Sequence, residues 1–384
     1  MVKNINSIKS IIISGYIGFD NCGDEAILLA MIQEFSNYLP KEKIIVLSHN
    51  PCKTKKLYQV NSIHRLNPFL ILSRMVQASI FVSGGGGLLQ DVSGKGFSIF
   101  YYLSLLFLAR LFHIPSVIYA QGIGPVEKPI NRKLIKGVLS RVNLIMVRDE
   151  QSKIFLEELG IKKKLITVNA DPSFILKEKE ISEAIKMKYS LSDTQELSNK
   201  KMNIGMVIRN CKKVNQDYDH KIEQFAEIAD HLIQKYQANL VFIPFQFHTD
   251  LPFIREIIKK MKLSTVSCVE EELNPEQILS LISKFSVIIG MRFHSIIFAT
   301  MMNKPFIAID YDPKLGHFVY SLGIPELLLN LNQLTIKMID NKLKYISTNQ
   351  KMIQSILYEK KEQFSKKAFN NCRQFYQSII KEFT

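Results

Sequence analysis

The fold is decided by residues 285–295, which read Phe-Ser-Val-Ile-Ile-Gly-Met-Arg-Phe-His-Ser. An apolar run closed by a glycine predicts a buried strand that ends in a loop, and residues 296–302 predict a helix after it. This places Arg292 and His294 at the carboxyl end of a strand, where open α/β sheets bind ligands. A guanidinium and an imidazole suit an anionic substrate that also needs a proton moved. The structural alternative is that Arg292 pairs with a core carboxylate and His294 is a satisfied core histidine.

Size and charge limit the classes of protein that the chain can represent. Its 384 residues, 47% hydrophobic, are enough for two cores. The net charge of +15 and a pI near 9.4 indicate an anionic partner, which could be nucleic acid, an anionic membrane or a phosphorylated substrate. The aromatic residues do not alternate with Lys and Arg as they do in a base-stacking platform, so we expect no nucleic acid.

The cysteines and the apolar segments indicate the compartment. Five scattered cysteines without a C-x-x-C pair argue against a disulfide framework and a zinc site, and fit a reducing cytoplasm. The N-terminus does not read as a signal peptide. The apolar run 97–112 is shorter than the roughly 20 residues that span a bilayer. We interpret it as a buried helix of the first domain, with a membrane-lying helix as the alternative.

Two glycine-rich turns follow predicted strands in the N-terminal half. The first, residues 15–25, lies between the strand 10–14 and an apolar helix, a geometry that presents backbone N–H groups to an anion. Its spacing matches neither G-x-G-x-x-G nor the P-loop. Asp24 and Glu25 fall in the first helical turn, where they either favour the helix dipole or contact a sugar. The second turn, Gly84 to Gly87, favours close approach of the backbone to a ligand over a simple flexible turn.

The other strand ends carry residues of the same kind. Strands predicted at 115–120, 142–147, 203–208 and 239–246 lead into Gln121, Arg148, Arg209 and His248, and Lys314 follows the strand that begins at Pro305. For Arg148, an ion pair with Asp149 or Glu150 is the structural alternative. Taken together, these residues predict a crevice that holds a small polyanion and a hydroxyl-rich partner.

Alternating strands and helices in both halves predict an α/β protein with two parallel-sheet domains that face one another. We expect an N-terminal Rossmann-like domain (1–176), a linker (177–202), a C-terminal Rossmann-like domain (203–348) and C-terminal helices (349–384), for which packing on the first domain is one option. From Lys351 onward the chain carries a net charge of +4. That segment forms either a solvated helix face or a contact with anionic lipid headgroups.

Seven motifs occur in order along the chain, at residues 15–27, 83–91, 120–125, 147–150, 170–172, 290–295 and 311–314. This ordered set resembles the polysaccharide pyruvyl transferase family, specifically the bacterial CsaB type of cell-wall pyruvyltransferases. The resemblance implies a GT-B-like fold with a central cleft and transfer of a pyruvyl group from phosphoenolpyruvate to a sugar as a 4,6-linked ketal. It also implies a lipid-linked acceptor carrying N-acetylmannosamine, a precursor of a secondary cell-wall polysaccharide that anchors surface-layer proteins. We therefore expect no cofactor, and a cytoplasmic protein on the inner face of the membrane that contacts anionic lipid.

The resemblance also implies roles for individual residues, with the acceptor on the N-terminal domain and phosphoenolpyruvate on the C-terminal domain. Catalytic roles fall to His294 as the proton donor, with Arg148 and Lys314. Phosphoenolpyruvate contacts are assigned to Arg292, Phe293, Arg209 and Lys314, because Arg binds carboxylate and phosphate bidentately. Acceptor contacts are assigned to Gly15, Tyr16, Gly18, Asn21, Asp24, Gly85, Gly86 and Gln121. The base is His294, Asp24, Glu25 or Asp171, and the D-x-D run Asp310-Tyr311-Asp312 is interpreted as structural, without a metal.

Two other classes of protein fit parts of this pattern. A GT-B glycosyltransferase that uses a nucleotide-sugar would share the architecture and the basic crevice, but would not need the Arg-Phe-His set. A non-catalytic basic protein that binds nucleic acid or membrane would explain the charge, but not the strand ends.

Overall fold

The computed structural model describes residues 8–91, 97–163, 166–191, 202–210 and 218–379. The chain divides into two compact units: residues 1–176 with 364–384, and residues 177–363. The predicted linker falls partly on residues 192–201, and the C-terminal segment ends in 380–384; both of these stretches lie outside the described residues.

The first unit is built on a parallel sheet in the order β3-β2-β1-β4-β5-β6-β7. Its strands are β1 Ile11–Ser14, β2 Ile44–Ser48, β3 Asn61–His64, β4 Ile80–Gly84, β5 Ser116–Gln121, β6 Leu144–Val147 and β7 Ile166–Val168. The central strands are buried along their whole length, which explains their continuous runs of Ile and Val. The order reverses between β1 and β4, where Ser14 lies beside Ser83.

Helices cover both faces of this sheet. They are α1 Cys22–Ser36, α2 Pro51–Tyr58, α3 Pro68–Gln77, α4 Phe97–Leu111, α5 Pro129–Leu139 and α6 Glu150–Glu158. One core cluster joins α3 to α6 with alternate strand residues such as Ile12 and Phe81. A second cluster joins α1 and the C-terminal helix with the intervening strand residues, such as Ile13. Because successive strand side chains point to opposite faces, the two clusters lie on opposite sides of the sheet.

The second unit repeats the plan, with strands in the order β10-β9-β8-β11-β12-β13, all paired in parallel. They are β8 Asn203–Val207, β9 Asn239–Phe242, β10 Val266–Cys268, β11 Val287–Gly290, β12 Phe306–Asp310 and β13 Leu328–Asn330. The helices are α7 Glu183–Lys188, α8 Tyr218–Tyr236, α9 Phe247–Lys260, α10 Pro275–Ser283, α11 Phe293–Met301, α12 Pro313–Leu322 and α13 Ile336–Thr348, followed by α14 Gln350–Ile379. Here the order reverses between β8 and β11, where Val207 lies beside Gly290.

The predicted α/β architecture with two parallel, Rossmann-type sheets is confirmed. The interpretation of residues 97–112 as a buried helix is wrong in part: α4 buries Ile99 and Leu106 but exposes Phe100, Phe107 and Leu111. A single layer of helices covers that face of the sheet, so the outward side of α4 reaches solvent. None of the helices within the described residues combines the length and the apolar character needed to cross a bilayer.

Candidate functional site

The two glycine turns flank the point where the first sheet reverses its strand order. Gly15 follows β1, and Gly85 and Gly86 follow β4 with φ angles of +61° and +69°, which favour glycine. An added Cβ at Gly85 would lie 2.0 Å from the Ile27 side chain, and one at Gly86 would lie 2.6 Å from Asp24 Oδ1. The sequence predicts that the backbone of this turn closely approaches a ligand. In the structure, the group that closely approaches Gly85 and Gly86 is helix α1, through Ile27 and Asp24.

Several backbone N–H groups of these turns already have partners inside the protein. Gly18 N–H donates to Glu25 (2.8 Å), and Gly85 N–H donates to Tyr119 O (2.9 Å). Asn21 caps α1 by accepting from Gly23 N–H at 3.2 Å. Burial raises the pKa of Glu25, although hydrogen bonds from the Tyr58 hydroxyl and Gly18 oppose the shift. Glu25 thus organises the first turn, which leaves Asp24 as the acid of this pair that is closer to Gly86.

An aromatic cluster that the sequence analysis missed surrounds a buried arginine beside Gly15. The Arg65 guanidinium lies 4.3 Å from the Tyr101 ring centroid, and its amino groups donate to Gly15 O and Tyr102 Oη, each at 3.3 Å. Tyr16, assigned to the acceptor, stacks on Phe19 with 4.2 Å between the ring centroids. Within the described parts of the chain, Arg65 has no carboxylate partner, so positive charge remains beside the first glycine turn.

The structure buries Gln121 and Arg148, two residues expected to face a substrate. Gln121 has no exposed surface, and its amide donates to Ser83 O and Oγ. Arg148 donates to Asp171 at 2.9 Å, and both side chains are almost fully buried. This geometry matches the structural alternative for Arg148, with Asp171 as its nearest partner and Asp149 further away at 3.7 Å. The catalytic assignment of Arg148 stays a prediction.

Arg292, from the stretch 285–295, lies at the end of β11, where the second sheet reverses its strand order. Arg292 caps the start of α11 and donates through Nε and Nη2 to Asp250, at 3.0 and 2.5 Å, and through Nη2 to Gln246. Asp250 is fully buried and also accepts from the backbone N–H groups of Gln246 and Asn210. The core carboxylate of the structural alternative therefore exists, and it also fixes the direction of the guanidinium.

The neighbouring strands β8 and β12 flank β11 and bring further groups to the same edge. The Arg209 guanidinium, after β8, lies 4.4 Å from the centroid of the Tyr311 ring, which follows β12. Phe293 packs on Phe318, with 5.4 Å between the ring centroids. His294 is 9% exposed, and its ring meets Phe293 and Phe298 edge to face. The imidazole thus lies in a mainly apolar pocket at the start of α11.

The D-x-D run serves the backbone at the start of α12. Asp310 accepts from Asp312 N–H and Asp312 accepts from Lys314 N–H, each at 3.1 Å. Burial raises the pKa of Asp310. These contacts support the structural interpretation of the run, and Lys314 lies in the first turn of α12.

Chemically, the second unit offers two arginines and a lysine, with an imidazole nearby, at the carboxyl ends of its three central strands. Open α/β sheets bind ligands at this reversal point. The guanidinium groups suit a doubly anionic ligand, and the imidazole suits a proton transfer near neutral pH. The first unit offers glycine turns, an acid and stacked aromatic rings, which suit a sugar.

Comparisons with known proteins concern the family and the fold. The family model for polysaccharide pyruvyl transferase matches residues 21–313. The amylovoran biosynthesis protein AmsJ of Erwinia amylovora is 21% identical over 230 residues, which cover 57% of this chain and 55% of AmsJ. The chain thus spans about half the length of this curated relative.

Solved structures show the same fold at low identity. A putative UDP-N-acetylglucosamine 2-epimerase from Listeria monocytogenes has a TM-score of 0.65 at 10% identity, covering 98% of this chain and 97% of its own. HepE from Anabaena, in complex with UDP-glucose, has a TM-score of 0.64 at 13% identity, covering 96% and 99%. MnaA from S. aureus, with UDP, has a TM-score of 0.62 at 13% identity, covering 91% of each chain. These likenesses place the chain in the GT-B class of folds.

Proposed function

The chain belongs to the polysaccharide pyruvyl transferase family, and on that premise we propose that it transfers a pyruvyl group from phosphoenolpyruvate to a sugar, releasing phosphate. The product is a 4,6-linked pyruvate ketal. The acceptor is an N-acetylmannosamine unit of a lipid-linked precursor of a secondary cell-wall polysaccharide, which anchors surface-layer proteins. The enzyme works in the cytoplasm, at the inner face of the membrane. One observation supports the proposal: three neighbouring parallel strands of the second sheet, β8, β11 and β12, are followed by Arg209, Arg292 and Lys314, and His294 lies two residues after Arg292.

We assign phosphoenolpyruvate to this edge of the C-terminal unit. Its carboxylate and phosphate need at least two cations, and Arg292 is already aimed by its bonds to Asp250. The Arg209 guanidinium lies over the Tyr311 ring, and this contact orients a second cation. Lys314 adds a third positive charge for the departing phosphate, and Phe293 supplies an apolar wall for the methylene group.

The protons that move in the reaction indicate a role for His294 as the proton donor. Protonation of the phosphoenolpyruvate methylene by His294 makes a methyl group and leaves an oxocarbenium-like centre at C2. One sugar hydroxyl adds to C2, the C2–O bond to phosphate breaks, and the second hydroxyl closes the ketal. The two hydroxyls lose two protons, of which one replaces the proton given to the methyl group and the other leaves with phosphate. His294, once deprotonated, can take back the first.

We assign the acceptor to the glycine turns of the N-terminal unit, with Gly15, Gly18, Gly85 and Gly86 shaping the surface. Tyr16 stacks on Phe19 and offers an aromatic wall to a sugar ring. Asp24, beside Gly86, is the candidate base for a sugar hydroxyl. Asn21 caps the start of α1, and the buried Gln121 amide donates to Ser83 of β4, so both hold the backbone from which this surface is built.

The test uses the full chain with a synthetic N-acetylmannosaminyl-N-acetylglucosamine diphospholipid. With phosphoenolpyruvate, we expect the acceptor to gain the mass of one pyruvyl ketal and phosphate to appear in equal amount. Parallel reactions contain UDP-sugars in place of phosphoenolpyruvate. Sugar transfer from a UDP-sugar, without ketal formation from phosphoenolpyruvate, would overturn the proposal in favour of a glycosyltransferase.

A further inference from the structure

Three neighbouring helices on one face of the N-terminal sheet contain no acidic residue. Helices α3, α4 and α5 together carry Arg74, Arg110, Arg132, Lys133 and Lys136, but no Asp or Glu. They pack on the same face of the sheet, in one core cluster. The next helix on that face, α6, has acids again. The absence of acids is therefore a property of these three helices, whose outward surface we name the α3–α5 face. Acids lie at its border, where Glu127 precedes α5 and Glu158 of α6 lies 4.0 Å from Arg132.

The outward side of the same helices is apolar. Phe69 and Val76 of α3 are 82% and 66% exposed, and Phe107 and Leu111 of α4 are 58% and 61% exposed. The start of α4 is tied to the residues before α3, because the Tyr101 hydroxyl donates to Arg65 O at 2.8 Å. The exposed side chains thus belong to helices that pack on the same face of the sheet. Apolar patches of this kind on soluble proteins mark a binding surface.

A groove along α4 and α5 combines both properties. Its volume is about 310 Å³, and its lining includes Phe107, Leu134 and Val138 together with the cations Arg110, Lys133 and Arg141. Apolar side chains beside three cations, without an acid, match a lipid molecule with an anionic headgroup. Interfaces with protein partners are instead depleted in Lys relative to the rest of the surface.

We propose that the α3–α5 face docks on the surface of an anionic lipid bilayer. Apolar side chains enter the headgroup region while Arg and Lys contact the lipid phosphates. The inference extends the proposed function, because a lipid-linked acceptor resides at the bilayer. It also relocates the contact that the sequence suggested for the C-terminal segment: Cys372 and Phe375 of α14 pack on the opposite face of the sheet.

The experiment measures sedimentation of the full chain with vesicles of phosphatidylcholine, with and without phosphatidylglycerol. Phe69→Ser combined with Val76→Ser should weaken binding to the anionic vesicles by at least about tenfold. The matched control is Phe369→Ser, which alters a residue of α14 that is also exposed (54%) and should bind like the wild type. Thermal melts should coincide for all three proteins, since each altered side chain is exposed.

Three results would overturn the inference: unchanged binding by the double variant, loss of binding by Phe369→Ser, or wild-type protein that does not bind anionic vesicles. A lipid-free dimer that the double variant dissociates would also overturn it, because a second copy would then occupy the face. Transfer to a water-soluble acceptor analogue separates this inference from the proposed function. The double variant should transfer pyruvyl to that analogue at the wild-type rate. If the proposed function is wrong, neither the wild type nor the double variant will show transfer.

Discussion

Arg292 either binds an anionic substrate or serves only as the partner of a core carboxylate, and its pair with Asp250 allows these two interpretations to be separated. Arg292→Ala leaves Asp250 buried with two backbone N–H donors and no counter-charge. Asp250→Asn instead removes the negative charge. It also places an amide NH₂ among four donors, which are two backbone N–H groups and two N–H groups of Arg292. Breaking a buried pair costs about 3–5 kcal/mol. We therefore expect both variants to lower the Tm of the C-terminal unit by roughly 6–20 °C.

The same two variants should differ in their use of phosphoenolpyruvate. Arg292→Ala removes a cation that we assign to the substrate, so KM for phosphoenolpyruvate should rise by at least about tenfold, equivalent to 1.4 kcal/mol. Asp250→Asn keeps the cation and one of the two oxygens that orient it, and it removes a competing anion, so KM should stay level or fall. Initial rates of phosphate release, measured well below both melting temperatures, give these constants.

Equal increases in KM for both variants would refute this reasoning, because the pair would then act only as a scaffold. An unchanged KM in Arg292→Ala would show that Arg292 does not contact phosphoenolpyruvate. Equal Tm values for the wild type and both variants would contradict the packing argument itself.

Three further predictions concern the N-terminal unit. Gly86→Ala should lower the Tm and raise KM for the acceptor, since φ is +69° and an added Cβ would lie 2.6 Å from a carboxylate oxygen of α1. The control is Gly137→Ala, in α5 with open space around it, which should instead raise the free energy of unfolding by about 0.5–1 kcal/mol. Equal effects of the two substitutions would count against the turn geometry. Burial raises the pKa of Asp91, but three N–H donors more than offset it and leave the pKa lowered, so the stabilisation exists above about pH 4 and is lost as the pH falls through the lower, folded-state value. The cost of Asp91→Asn in urea unfolding should accordingly shrink from pH 6 to pH 3, and a constant cost would contradict this account. Arg148→Met should cost about 3–5 kcal/mol, and adding Asp171→Leu should restore most of it; a restored variant with full activity would remove Arg148 from the catalytic residues.

The sequence predicted the central strands well because they are buried on both faces and read as continuous apolar runs. It missed β3, since Asn61-Ser62-Ile63-His64 contains one apolar residue and forms the exposed edge of its sheet. Arg65 was missed for the same reason, because its position at a strand end became visible only with the strand. The short strand β13, also at a sheet edge, was missed as well.

Partners distant in sequence account for the rest of the candidate site. Nothing in the local pattern indicates that Arg292 pairs with Asp250, 42 residues earlier, or that Arg209 stacks on Tyr311. The strand order brings these residues together, because β11 is inserted between β8 and β12. Likewise, the apolar run of α4 shows which residues are hydrophobic, but not that one side of the helix lacks a covering layer.

The role that we propose for His294 is protonation of the phosphoenolpyruvate methylene during ketal formation. The most direct measurement is NMR of the product made in D₂O from phosphoenolpyruvate labelled with ¹³C at C2. The wild type should place the label in a ketal carbon bonded to a methyl group with one deuterium. His294→Asn should fold with a similar Tm and make no ketal. Ketal formation at a near-wild-type rate by His294→Asn, or labelled carbon that never reaches the sugar, would contradict the account.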